Sequence, residues 1–443
     1  MKITHYCNSF IGIKENKTSL LCDPWVGLGN ENAWLSFPIY KNGSKLMNNL
    51  KPNFIYISHL HCDHYDSKNL LKIQNKNLKI IIKNFPDKRL KKKIENLGFK
   101  NILELQPWKK YKLNKDLTVS IIPQMTSNSE NKPDSISYDL DTSIIIQSNK
   151  TKQIFYNNVD NPLSLSDLKI VRKFVKSRFE KDIDLCCSPS GVASEYPHCF
   201  TNINRIKEKD RLIKHHLKIL VKQMEILKTK NYFDAGGIYT IYGKFYKLNK
   251  FIASPTMTQI KDVFKNTKIN FFSILGGNSL EFKNNQWQKL SKFNIKENLK
   301  KKIINKTYNE KYFYEKTKIR LSKSHLDKIF NKSKEKYFKI LKNFKVKTSW
   351  KIDFYIYNSL NLNKNGKIDK KKSNIFNNYT IDFRKDKKKF SHLKCHLDLK
   401  LFYGFLKKKY VWNPAVSGSV IIFERKPNYF DPNLTFSLNF LNN

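Results

Sequence analysis

Arginine is almost missing from this chain. Only Arg89, Arg172, Arg178, Arg205, Arg211, Arg320, Arg384 and Arg425 are present, so nearly all of the +47 formal net charge is carried by lysine. The scarcity matters, because nucleic-acid and phosphate readers favour the planar, bidentate guanidinium. A basic chain rich in Lys, Asn, Ile, Phe and Tyr reads as the drift of an AT-rich coding sequence, and no specific nucleic-acid partner is expected. Long apolar runs are missing too. None approaches the roughly 18–20 residues a bilayer span requires, so no membrane span is expected. The opening Met1-Lys2-Ile3-Thr4-His5 lacks the basic-then-apolar design of a signal peptide. The seven cysteines are odd in number and show no framework spacing, and the adjacent pair Cys186-Cys187 cannot form an ordinary bridge. A reduced, cytoplasmic setting is the expectation. There is neither a Walker-type phosphate loop nor a Gly-x-Ser-x-Gly elbow.

What is there is enough for a real core. The chain has 443 residues, of which 40% are hydrophobic, a length that fits two domains or one large domain with an appendage. Strand-like runs occur at Ser19–Cys22, Phe54–Ile57, Lys79–Ile82, Val119–Ile122, Ser143–Gln147 and Gln153–Tyr156. A short helix is predicted from Ser67 to about Gln74. A long one lies between Asn204 and Lys228, where Ile206, Ile213, Leu217, Leu220, Met224 and Leu227 recur at helical spacing. Strands interleaved with helices indicate a layered α/β core. From about 290 to 345 the chain is Lys-rich with helical periodicity through Leu326, Ile329, Phe330, Tyr337, Phe338 and Leu341. Beyond 346 the period returns to two. Trp350, Ile352, Phe354 and Ile356 alternate, as do Leu393, Cys395, Leu397, Leu399 and Leu401. Between them Asn361–Ser373, with Asn365-Gly366, reads as a strand connection with turn chemistry. The organisation expected is a core domain at 1–285, a Lys-rich helical connector at 286–345 and a small α+β domain at 346–443.

The densest chemistry is Ser58-His59-Leu60-His61-Cys62-Asp63-His64, three imidazoles and a carboxylate within six residues, directly after an apolar strand. In an extended chain His59 and His61 point the same way and can grip one ion. Asp63 and His64, just past the strand end, can serve a second. Imidazole with carboxylate suits Zn²⁺, with Fe²⁺ or Mn²⁺ as alternatives.

This motif resembles the signature of the metallo-β-lactamase-fold superfamily. Within it the chain is similar to a branch that includes ascorbate-6-phosphate lactonase and the non-Rieske part of CMP-N-acetylneuraminate hydroxylase. Asp23-Pro24-Trp25, Tyr156–Asn161, Ser190-Gly191 with Tyr196–Phe200, Ala235-Gly236 with Gly243-Lys244 and Leu248-Asn249, and the tail Trp412–Gly418 with Arg425-Lys426-Pro427 carry the likeness. The resemblance implies an αββα sandwich with a smaller C-terminal α+β domain. It implies that His59 and His61 hold a first metal, that Asp63 and His64 hold a second, and that Asp160 bridges. Asp23 would stand behind a ligand and orient it, or cap a turn.

Departures from the pattern shape the functional reading. Hydrolytic members supply a further histidine between the first cluster and the bridging aspartate; here no His lies between His64 and His198. Gln124, Asp139 and Asp141 are the candidate substitutes. The late ligand histidine has no match, because Ala235-Gly236-Gly237 stands in its region. Gly276-Gly277-Asn278 replaces the usual Pro-Gly-Asp. His198 is expected to be structural, with substrate contact or a vacant coordination position as alternatives. His215, His216, His392 and His396 show no site partner, and His5 is unassigned. The paired Cys-x-His and Cys-x-x-His of a Rieske centre do not occur.

The leading expectation is a cytoplasmic hydrolase of sugar metabolism, binding one or two Zn²⁺. It would act on a small anionic substrate (a sugar phosphate, lactone or activated sugar) by metal-bound hydroxide, with Asp63 as the catalytic carboxylate. The alternatives are an iron-dependent hydroxylase component acting on a nucleotide-activated amino sugar, and a degenerate metal-binding domain without activity.

Overall fold

The computed structural model describes residues 1–29, 32–40, 42–125, 141–237, 239–290, 302, 304–305, 310–384 and 390–441. Among these, two large sheets face each other. The first runs, from edge to edge, Gln286–Leu290, Asn278–Lys283, Lys2–Cys7, Phe10–Glu15, Thr18–Cys22, Phe54–Tyr56, Lys79–Lys83 and Ile102–Leu105. Its half from Thr18–Cys22 onward is parallel. The second runs Asn270–Phe271, Asn231–Asp234, Leu185–Ser188, Ile154–Asn157, Thr142–Ser148, Leu117–Pro123 and Tyr111–Lys112.

The layers follow from alternation along each strand. Ile11, Ile13, Leu20 and Tyr56 of the first sheet meet Val119, Ile121, Ile144 and Phe155 of the second in one buried cluster. Leu21, Ile55, Ile80 and Ile82 point the other way, onto Met47, Leu90 and Ile94 of the helices Gly43–Leu50 and Arg89–Glu95. On the far face of the second sheet, Ile122, Ile145, Tyr156 and Tyr232 pack on the helices Leu165–Phe179 and Arg205–Leu227. Helix, sheet, sheet, helix is the αββα arrangement expected.

The long helix starts where expected because Asn204 accepts the amide of Lys207, and it stops at Lys228 with φ 53°. Ile213, Leu217, Leu220, Met224 and Leu227 are buried, but Ile206 is half-exposed. Its turn belongs to Arg205, which is buried against the C-terminal half (NH1 to Gly366 O 2.9 Å, NH2 to Asn365 O 2.8 Å).

The C-terminal sheet has the order Ile375–Asp382, Lys351–Tyr357, His392–Asp398, Ile422–Lys426. Ile352, Phe354 and Ile356 pack against Leu326, Ile329, Phe330, Tyr337 and Leu341 of the helix Lys323–Asn343; Phe338 is partly exposed. The alternation ends earlier than its pattern predicts. Leu399 and Leu401 belong to the helix Leu399–Leu406, which buries Leu401, Phe402, Phe405 and Leu406 at helical spacing. Gln286–Leu290, inside the expected connector, completes a hairpin of the first sheet. The C-terminal core also takes in Trp34, Phe200, Tyr239 and Phe245. Phe423 donates to Cys199 O (2.8 Å) and accepts from Thr201 N (2.9 Å), so the C-terminal sheet continues into the loop before the long helix.

Candidate metal centre

All candidate ligands sit at one edge of the sandwich, where strands of both sheets end. The chain leaves Phe54–Tyr56 through Ser58 and turns sharply, His64 N and Tyr65 N both donating to His61 O (3.0 and 2.7 Å). Three contacts pin this loop. Thr142 Oγ1 donates to Ser58 O (2.7 Å), Ser9 Oγ donates to Asp63 O (2.8 Å), and Asp66 accepts the amides of Val26 and Asn69 (3.2 and 3.1 Å).

Two groups result. His59, His61 and Asp141 form one; Asp63, His64 and Asp160 form the other, with ligand atoms in each within 4.8 Å of one another. In the first, His59 Nε2 lies 2.7 Å from His61 Nδ1 and 3.1 Å from Asp141 Oδ1. In the second, His64 Nε2 lies 2.7 Å from Asp160 Oδ2 and 3.8 Å from Asp63 Oδ2. Asp141 comes from the second sheet, immediately before the strand Thr142–Ser148. Of the other candidate substitutes, Gln124 has a buried Oε1 without a partner among the described residues, and Asp139 lies outside them.

Asp23 stands behind these groups. Its backbone is left-handed (φ 43°) and its amide donates to Tyr56 O. Oδ1 accepts from Ser58 N (2.8 Å) and Oδ2 from Ser58 Oγ (2.8 Å), while Oδ2 also lies 2.9 Å from His64 Nδ1. Ser58 Oγ is 2.9 Å from His59 Nδ1. One buried carboxylate therefore engages the far nitrogen of His64 directly and that of His59 through a hydroxyl, leaving both Nε2 atoms toward the groups. This is how ligand imidazoles are commonly oriented. Ser58 was not anticipated from sequence; the only signal was a small hydroxyl residue between strand and motif.

The electrostatics are those of a site built around positive charge. Burial pushes the Asp63 carboxyl up, and the charge of His64 only partly offsets it. Burial also opposes ionisation of Asp160, but there His64 prevails and the carboxyl sits below its ordinary value. His64 is held well above the ordinary histidine value, because Asp23, Asp160 and Asp63 outweigh its burial. The charged groups acting on Asp63 are His64, Asp160 and His61, and those acting on Asp160 are His64 and His61. Three imidazoles and three carboxylates converging in this way fit one or two divalent cations of the Zn²⁺, Fe²⁺ or Mn²⁺ kind.

Asp160 follows the strand Ile154–Asn157 at φ 60°, and the Gly237 amide hydrogen-bonds its carboxylate. Gly236 explains why no side chain stands beside it. Its φ is +80°, and a Cβ there would meet Val159 Cγ1 at 2.6 Å and Asp160 Oδ1 at 3.0 Å. The second group opens into a narrow cleft, lined also by Asn8, Ser9, Trp34, Ala193 and Tyr239. Trp34 stacks on Tyr239 (centroids 4.4 Å, 24°). Neither aromatic was singled out from sequence. Trp34 lies on the short strand Trp34–Leu35, paired with Thr240–Ile241, and the two rings meet only through that pairing.

The remaining histidines lie elsewhere. His198 is buried beside Ser419 and Tyr239. His5 Nε2 lies 2.8 Å from Asn8 O. His392 pairs with Asp353, and His396 with Tyr357 and Glu424. His215 and His216 lie on the long helix.

No family model matches the chain. Among curated proteins, one of Mycobacterium tuberculosis named for a Rieske 2Fe-2S iron-sulfur centre is 33% identical over 126 residues, 28% of this chain and 24% of its own length. A protein of Mycolicibacterium smegmatis with the same designation is 32% identical over 105 residues. The match thus spans about a quarter of these relatives. Among solved structures, an isothiocyanate hydrolase from Delia radicum gut bacteria aligns with 64% of this chain and 99% of its own, at 14% identity and TM-score 0.43. CmlA, a diiron β-hydroxylase from Streptomyces venezuelae, aligns with 65% of this chain and 54% of its own, at 11% identity and TM-score 0.41.

Proposed function

We propose that the chain is a metal-dependent enzyme of the metallo-β-lactamase fold that hydrolyses a small anionic substrate, a sugar phosphate, lactone or activated sugar. The observation that carries this is the pair of adjacent groups, His59/His61/Asp141 and Asp63/His64/Asp160, at one sheet edge beside a cleft. His59, His61 and Asp141 would hold one ion; Asp63, His64 and Asp160 would hold another. A divalent ion there supplies Lewis acidity and lowers the pKa of water to roughly 7. The chain's own residues do the rest. Asp23 and Ser58 fix the imidazoles. Asp63, in the cleft, is the carboxylate to take a proton from the attacking water, a role worth about 10²–10⁴-fold. Trp34 and Tyr239 wall the cleft. We place the first boundary after residue 290 rather than 285, because Gln286–Leu290 belongs to the first sheet, and keep the second at about 345. Among the described residues no helix is long and apolar enough to cross a membrane.

A second reading is an iron-dependent hydroxylase component acting on a nucleotide-activated amino sugar. It is favoured by the ligand balance, since carboxylates equal imidazoles in number, and by the Rieske designation of the mycobacterial relatives. Elemental analysis and a substrate panel separate the two. Two Zn per chain with turnover of phosphosugars, lactones or phosphodiesters supports hydrolysis. Iron, with product formed only from dioxygen and a reductase, supports the second reading. Asp63→Asn should abolish hydrolysis yet keep the ion of His59 and His61. Normal hydrolysis by Asp63→Asn would sink the mechanism, and metal-free protein that turns nothing over would sink both readings.

A further inference from the structure

The far wall of the cleft is held from outside the sandwich. Tyr239 lines the cleft and its hydroxyl donates to Ser194 O (2.9 Å). His198 Nε2 lies 3.4 Å from that hydroxyl and 2.7 Å from Ser419 Oγ. Ser419 belongs to the C-terminal half, and its own hydroxyl reaches Ser417 O (3.4 Å). All three side chains are buried, His198 and Ser419 completely.

Tyr239 gives its hydroxyl proton to Ser194 O. The short contact between His198 Nε2 and Ser419 Oγ is a hydrogen bond that joins the two halves whichever of the two donates. Burial keeps the imidazole neutral, pushing His198 down to about 3. Its Nδ1 is buried without a hydrogen-bond partner among the described residues.

The lining of the same cleft has a second property. Asn8, Ser9, Trp34, Ala193, Gly236, Gly237 and Tyr239 are all uncharged, and among the described lining residues no Lys or Arg appears. In a chain of net charge +47 the cleft still meets its substrate, beyond the metal groups, with neutral and aromatic surface.

We infer that His198 and Ser419 are positioning residues through which the C-terminal half sets the Trp34–Tyr239 wall, and that this wall selects the uncharged, apolar or ring-bearing portion of the substrate. The inference rests on the metal-enzyme reading. It leaves any anionic group of the substrate to the metal groups.

The test uses the metal-loaded full chain and two neutral chelating probes, acetohydroxamic acid and benzohydroxamic acid, titrated calorimetrically. Wild-type protein should bind the ring-bearing probe more tightly. Ser419→Ala and His198→Leu should each cut that preference about fivefold, the weight of one hydrogen bond. His198→Gln should restore it, because its side-chain amide can donate or accept where Nε2 stood. Metal content should not change. Near-ultraviolet circular dichroism reports the stack independently. The band assigned to Trp34 by its loss in Trp34→Phe should weaken in Ser419→Ala. An unaltered preference in folded, metal-loaded Ser419→Ala and His198→Leu overturns the inference alone, as does equal binding of both probes by wild type. Protein that takes up no metal overturns the underlying reading, and this inference with it.

Discussion

Single residues divide into those whose partners are close in sequence and those whose partners are not. His59, His61, Asp63 and His64 were legible because a strand end and one turn gather them within six positions. Asp141 was legible only as one of three substitutes, since the second sheet delivers it and no local spacing marks it. Asp23 was open between orienting a ligand and capping a turn; the geometry gives it a direct contact to His64 Nδ1 and one through Ser58 to His59. Asp23→Asn should therefore weaken metal binding by roughly 10–100-fold, read by competition with a chromophoric chelator. Unchanged affinity would make Asp23 a turn residue. His5 offers a pH test. Burial lowers it from 6.5 to about 4, with the Asn8 carbonyl opposing. Between those values the unfolded chain binds the proton and the folded chain does not, so stability falls as pH drops through this window. The full effect is about 3 kcal/mol at ~1.4 kcal/mol per pH unit. His5→Gln should reduce the slope in urea unfolding between pH 7 and 4 and leave the share of His198, which burial also lowers; an identical slope would mean that His5 is not held neutral.

At the scale of elements, alternation and helical periodicity located the strands and long helices, because each buries a face whose period is fixed by backbone geometry. They failed where two periods overlap. Leu397, Leu399 and Leu401 continue an alternating pattern, yet the strand His392–Asp398 ends and a helix begins with Asp398 as its cap residue. Loop conformation was also out of reach. Asp23 and Asp160 both sit in the left-handed region, where Asp is tolerated better than most residues. Those turns aim both carboxylates at the edge. Gly236 is a tight joint beside Asp160. Gly236→Ala places a methyl 2.6 Å from Val159 Cγ1 at φ +80°, so the Asp160 turn must shift. The expected outcome is a loss of more than about 1 kcal/mol in stability, with metal content dropping because the Asp63/His64/Asp160 group is disturbed. Full stability with full metal content would show that this turn is not a constraint on the site.

Over the whole molecule, composition separated the Lys-rich stretch from its flanks but could not reveal how the two halves join, because the joint is made of residues scattered across both. One buried core contains Trp34, Tyr239 and Phe245 together with Phe354 and Trp412. Its ionic centre is Lys244, whose Nζ lies 2.9 Å from Glu315 Oε1 and 2.9 Å from Asp398 Oδ2. Asp398 also accepts from Tyr314 OH (2.9 Å) and Leu360 N (2.8 Å). Burial works against the Lys244 ammonium, but Asp398 and Glu315 outweigh it and hold the group charged. Replacing one partner of such a buried set leaves the others uncompensated, at a cost of about 3–5 kcal/mol. Lys244→Met keeps most of the side-chain length and removes the ammonium with its hydrogen bonds, so its loss of stability measures the joint. Because the core is shared, wild-type protein should unfold in one transition, with far-ultraviolet signal and metal release coinciding. Lys244→Met should lower that transition without splitting it. Asp398→Asn added to Lys244→Met should recover part of the loss, since the orphaned carboxylate is gone. Two separate transitions in the wild type, or a Lys244→Met variant that unfolds like it, would mean that the halves fold independently and that the C-terminal half does not hold the cleft.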